Sequence, residues 1–129
     1  MRRVMLMLAA MTMMVLLFAV VAYAAHIEGS ANSEDLVESN RGDTIKALAG
    51  DDSIDATFFA VDETPSEDGD RDRAHGNQGD DFIYVNDEDG KDYAFGGEGV
   101  DRCWVDLAQD VGNGGDRYTS CEFINGVRQ

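Results

Sequence analysis

The chain has 129 residues, of which 26 are acidic and 10 basic, a formal net charge of −16. Such a surface disfavours nucleic acid and anionic membrane as partners and makes divalent cations natural ones. The length suits one small domain, and the two cysteines allow one disulfide.

At the N-terminus, Arg2 and Arg3 precede an apolar run from Val4 to Val21 that is interrupted only by Thr12. Ala22-Tyr23-Ala24 follows with the small-x-small pattern that a signal peptidase reads. Residues 1–24 therefore read as a signal helix, cleaved after Ala24 on secretion. The alternative is an uncleaved membrane anchor, because the run approaches the length of a span. After cleavage all 26 acidic but only eight basic residues remain, a net charge of −18. Self-repulsion on that scale opposes compaction unless cations neutralise it.

Beyond the leader, aspartate marks a repeat. Triplets of the form D-x-U, with U small or apolar, begin at Asp35, Asp43, Asp52, Asp72, Asp81, Asp92 and Asp101, at spacings of 8, 9, 20, 9, 11 and 9. Gly96-Gly97-Glu98-Gly99-Val100-Asp101-Arg102-Cys103-Trp104 fits the nonapeptide G-G-x-G-x-D-x-U-x if Cys103 counts as U. Gly76-Asn77-Gln78-Gly79-Asp80-Asp81-Phe82-Ile83-Tyr84 fits with one glycine replaced. Gly50, Gly79, Gly90 and Gly99 each stand two residues before an aspartate. Ser33, Arg41 and Asp70 hold that place before Asp35, Asp43 and Asp72, so those three turns are expected to bind weakly or only to continue the coil. The inward positions are expected to be Val37, Ile45, Ile54, Ala74, Ile83, Ala94 and Cys103. Residues 55–71 interrupt the pattern with Pro65 and Phe58-Phe59-Ala60-Val61, as a loop or a degenerate repeat. Phe58 and Phe59 are expected to tuck over the edge. Past Trp104 the nonapeptide fades, and residues 105–129 read as a cap.

The chemistry of this spacing is that of Ca²⁺, a hard cation that takes six to eight oxygen ligands. Glycine turns present carbonyls, and the aspartate adds a carboxylate. Two nonapeptides complete a coil, so alternate turns stack, pairing Asp35 with Asp52, Asp72 with Asp92 and Asp81 with Asp101. The expected metal site residues are Asp52, Asp81, Asp92, Asp101, Gly50, Gly76, Gly79, Gly90, Gly97 and Gly99, and more weakly Asp35, Asp43 and Asp72.

In these motifs residues 29–104 resemble the hemolysin-type calcium-binding repeat (RTX) proteins, found among exported bacterial proteins. The resemblance implies an all-β, right-handed parallel β-roll (β-helix) over residues 25–104 that folds as it binds Ca²⁺. Export also places Cys103 and Cys121 in an oxidising compartment, where a disulfide between them is expected to staple the irregular C-terminal cap.

The expected function is secreted calcium binding without enzymatic activity. Of the two histidines, His26 adjoins the cleavage site and His75 occupies an outward repeat position, so no catalytic residue can be named. An EF-hand beginning at Asp68 fails at Arg73 and Gly79. Two other functions stay open: adhesion or matrix interaction with a protein partner, and an acidic, largely disordered, cation-buffering chain.

Overall fold

The computed structural model describes residues 25–39, 42–57, 71–111 and 114–129. The signal helix with its cleavage site, and Phe58 and Phe59, lie outside the described residues. Among the described residues no helix is long and apolar enough to cross a membrane.

The D-x-U-x pattern has the two-residue period of a strand, and it produces short strands, each of which after the first follows an acidic residue. They are β1 (His26–Glu28), β2 (Asp35–Val37), β3 (Thr44–Ala49), β4 (Ser53–Asp55), β5 (Arg73–Gln78), β6 (Phe82–Tyr84), β7 (Tyr93–Glu98) and β8 (Arg102–Trp104). A single helical turn, α1 (Ala108–Val111), precedes β9 (Arg117–Thr119), β10 (Phe123–Ile124) and β11 (Val127–Arg128). Odd strands stack parallel in the order β1-β3-β5-β7-β9, and even strands in the order β2-β4-β6-β8-β10. The molecule is thus an all-β solenoid. Stacking continues past Trp104 to Ile124, after which β11 folds back antiparallel on β10 as the cap.

Registry keeps the U residues in rows: Ile45, Ala74 and Ala94 in one sheet, and Ile54, Ile83, Cys103 and Ile124 in the other. All seven are buried. Val37 departs from expectation. Leu36, not Val37, pairs with Ile54, and Val37 is 62% exposed. The interior holds no aromatic ring among the described residues. The rings lie instead on the outer faces, where Tyr84 stacks on Trp104 and His75 on Phe95, each pair 4.6 Å apart. At about 1.5–3 kcal/mol per large buried aliphatic side chain, so thin a core leaves much of the stability to polar groups.

The two edges of the solenoid differ. On one, odd strands pass to even strands, and Asp43 to Asp52, Asp72 to Asp81 and Asp92 to Asp101 are all spaced by nine. On the other, even strands return to odd ones, and the spacings are 20 from Asp52 to Asp72, 11 from Asp81 to Asp92 and 15 from Asp101 to Asp116. The lengthenings therefore fall on this second edge, which also carries α1, while the first edge departs from nine where Asp116 and Glu122 are six apart. The interruption after Ile54 is an insertion between β4 and β5, since β5 still stacks on β3. Cys103 and Cys121 form the disulfide, with Cα atoms 6.0 Å apart, and it ties β8 to the turn between β9 and β10.

Candidate metal centre

Each repeat aspartate except Asp35, which lies within β2, stands one residue before a strand, where the sheet ladder ends and the chain turns away. There its side chain replaces the missing backbone acceptor. On the regular edge, Glu34 N–H donates to Asp52 Oδ1 (2.8 Å), Asp52 N–H to Asp81 Oδ1 (2.9 Å) and Asp81 N–H to Asp101 Oδ1 (2.9 Å). Asp101 N–H donates to Glu122 Oε2 at 2.8 Å. On the other edge, Asp43 N–H donates to Asp72 Oδ1 (2.6 Å), Asp72 N–H to Asp92 Oδ1 (2.8 Å) and Asp92 N–H to Asp116 Oδ1 (3.0 Å). Two carboxylate ladders thus close the turns of successive coils.

The expected pairs Asp72–Asp92 and Asp81–Asp101 are both brought together in these ladders. Asp35 with Asp52 is not: Asp35 is exposed and sits opposite Ser53, and Glu34 takes its place beside Asp52. With Glu34 as the marker, the spacing to Asp43 becomes nine instead of eight. Asp43 and Asp72 are as buried as the others, so turns lacking the glycine still carry ladder members.

The glycines serve this arrangement. A Cβ on Gly76 would strike Asp81 Oδ2, and one on Gly96 would strike Asp101 Oδ2. Gly79, with φ of +128°, would press a Cβ into the carbonyl of Gly50. Gly50, Gly90, Gly97 and Gly99 also take positive φ.

A second set of carboxylates gathers in the loop from β6 to β7, two residues longer than the nine-residue spacing. Asp87 (6% exposed), Asp89 (4%) and Asp92 (0%) bring one ligand oxygen each within 4.8 Å of one another. Asp87 Oδ1 accepts from Asp89 N–H at 3.1 Å, and Asp89 Oδ1 accepts from Lys91 N–H at 2.8 Å. The Lys91 ammonium lies 3.0 Å from Asp89 Oδ2. Glu88 (φ +79°) and Gly90 (φ +68°) give the loop its sharp path. Its outer side is held by Asp106 Oδ2, which accepts from Glu88 N–H at 2.6 Å.

The electrostatics are those of acids stripped of water. Burial, offset in part by the bond from Asp72 N–H, drives the Asp92 carboxyl far above its ordinary range, and Asp87, Asp116 and Asp89 raise it further. Burial likewise lifts Asp81 and Asp116 to about 6. The Oδ2 atoms of Asp52, Asp81, Asp92 and Asp101 are buried without a hydrogen-bond partner. A buried carboxylate oxygen without a donor costs several kcal/mol, about the scale that a bound cation or a proton relieves.

Sequence reasoning reached Asp92 but missed Asp87, Asp89 and Asp116. The available signal was Asp87-Glu88-Asp89-Gly90-Lys91-Asp92, three aspartates around a glycine within six residues. Asp116 lay hidden because fifteen residues separate it from Asp101. No protein-family model, curated protein or solved structure matches the chain.

Proposed function

We propose that this chain is an exported, non-enzymatic calcium-binding solenoid whose principal ion site is Asp87, Asp89 and Asp92. The observation that carries the reading is the convergence of these three buried carboxylates, one of which, Asp92, has an orphaned Oδ2. An all-oxygen, anionic donor set suits a hard divalent cation, and the absence of thiol or imidazole from the set disfavours zinc or copper. The repeat motifs support calcium, as does the resemblance to the RTX proteins. The cation would join the β6–β7 loop to the ladder and offset the charge that opposes folding. The orphaned oxygens of Asp52, Asp81 and Asp101 offer further ligand atoms on the regular edge.

Calcium titration followed by EDTA, read by far-UV circular dichroism and by calorimetry with magnesium as the control, tests the reading. A saturable, EDTA-reversible calcium response is expected. Asp89→Asn is expected to weaken it by roughly tenfold or more, since affinity follows ligand charge. An equal response in Asp89→Asn, or none in the unaltered chain, would discard the assignment.

A further inference from the structure

A cleft of about 350 Å³ adjoins the acidic cluster, and its character is opposite. Arg71, Lys91 and Arg117 line it with Tyr93, Gly90 and Gly115, in a chain that has only ten basic residues. The register explains the convergence. Arg71 and Lys91 each precede a member of the same ladder, Asp72 and Asp92, on neighbouring coils. Arg117 pairs directly with Tyr93, donating from Nη1 to the phenol oxygen at 2.8 Å, with its guanidinium carbon 5.5 Å from the ring centroid. Neither Arg71 nor Arg117 forms an ion pair with a carboxylate among the described residues. Their remaining guanidinium N–H groups are planar donors of the kind that grip oxyanions.

We propose that this cleft binds an oxyanion of the sulfate or phosphate type, free or as an ester, and that a divalent ion at Asp87, Asp89 and Asp92 strengthens that binding. The second half rests on the metal assignment above. Lys91 is the link: its ammonium pairs with Asp89 Oδ2 at 3.0 Å, and the residue also lines the cleft. An ion drawing on Asp89 takes away that partner and repels the ammonium toward the anion. The ion also weakens the negative potential that otherwise keeps anions from this surface. Linkage requires the reverse effect, so the oxyanion tightens ion binding by the same factor.

Calorimetric titration of the chain with sodium sulfate, in calcium and in EDTA at equal ionic strength, tests the proposal alongside a calcium titration with and without sulfate. Saturable sulfate binding is expected in calcium, weaker by about tenfold in EDTA, a coupling of ordinary size. Arg71→Gln with Arg117→Gln is expected to abolish sulfate binding while leaving calcium binding without sulfate unchanged. A sulfated monosaccharide that binds more tightly than sulfate would mark an ester as the preferred source, and equal affinity would mark the oxyanion alone. Calcium binding without saturable sulfate binding overturns the cleft and leaves the metal site standing. Sulfate binding that is indifferent to the double substitution also overturns the cleft, and sulfate binding that is indifferent to calcium overturns the coupling between the two sites. Failure to bind calcium at all removes the metal site and this proposal together.

Discussion

Asp81 shows how one side chain can serve two ends. Its Oδ1 closes the turn by accepting from Asp52 N–H at 2.9 Å, while its Oδ2 is buried without a donor. The two roles separate by substitution. In EDTA, Asp81→Ala is expected to cost about 1–3 kcal/mol, because it leaves a buried N–H unpaired. Asp81→Asn keeps the acceptor and removes the charge, so its urea midpoint in EDTA is expected to match or exceed that of the unaltered chain. Equal losses in both variants would mean that the ladder bond does not hold the turn. Leu48, Asn77 and Gly97 occupy one register column, and all take positive φ, at 81°, 78° and 133°. Leucine is the least suited of the three to that region. Because Leu48 is 38% exposed, Leu48→Gly gives up little burial. A stability gain of about 1 kcal/mol is expected from the relief of left-handed strain, measurable by chemical denaturation.

Among the elements, division of labour between the two edges explains where the candidate sites fall. Regular nine-residue spacing packs glycine against backbone, as where a Cβ on Gly99 would strike the carbonyl of Gly79, and leaves little room for extra residues. The opposite edge absorbs each lengthening, and the two-residue excess before Asp92 is what supplies Asp87 and Asp89. The disulfide belongs to this scale too. It closes a loop of separation 18 and joins β8 to the last coil, where hydrophobic burial is slight. Replacing Cys103 and Cys121 together with serine is expected to lower stability by about 3 kcal/mol. The loss is read from paired denaturation curves, and a change below about 1 kcal/mol would show that β10 and β11 hold without the staple.

For the whole molecule, uncompensated negative charge governs stability more than any single contact. Burial raises Asp81 and Asp116 to about 6, above the ordinary 3.8 of an aspartate. A folded-state pKa above the unfolded one means that the native chain holds its protons more tightly. The stability contributed is therefore complete below the unfolded value and is lost as pH rises through about 6. Without calcium, the melting temperature is expected to fall between about pH 4 and about pH 7, and with saturating calcium the fall is expected to shrink as the ion replaces the proton. Thermal melts in EDTA and in calcium across that range provide the check. A calcium-free melting temperature that rises toward neutral pH would contradict the buried-acid account.

The repeat itself was legible in the chain because most coil turns are closed by an aspartate that is followed two positions later by a small or apolar residue. That pattern alone pointed to a stacked β-solenoid, to Ile45, Ile54, Ala74, Ile83, Ala94 and Cys103 as inward positions, and to the pairing of Asp81 with Asp101. The stacking of Ala74 on Ile45 and of Ile83 on Ile54 across the interruption was decided by the structure. Register was less legible where two acids adjoin. Glu34 and Asp35 are interchangeable by composition, and only the parallel ladder, by pairing Leu36 with Ile54, decided that Glu34 closes the turn. Tertiary structure alone also brought Asp116 beneath Asp92 across an insertion, and folded the excess residues before Asp92 into a buried triad. The physical reason is that a repeat records contacts occurring at constant separation. The acidic triad and the basic cleft instead use residues from loops of unequal length, whose proximity exists only once the coils have stacked.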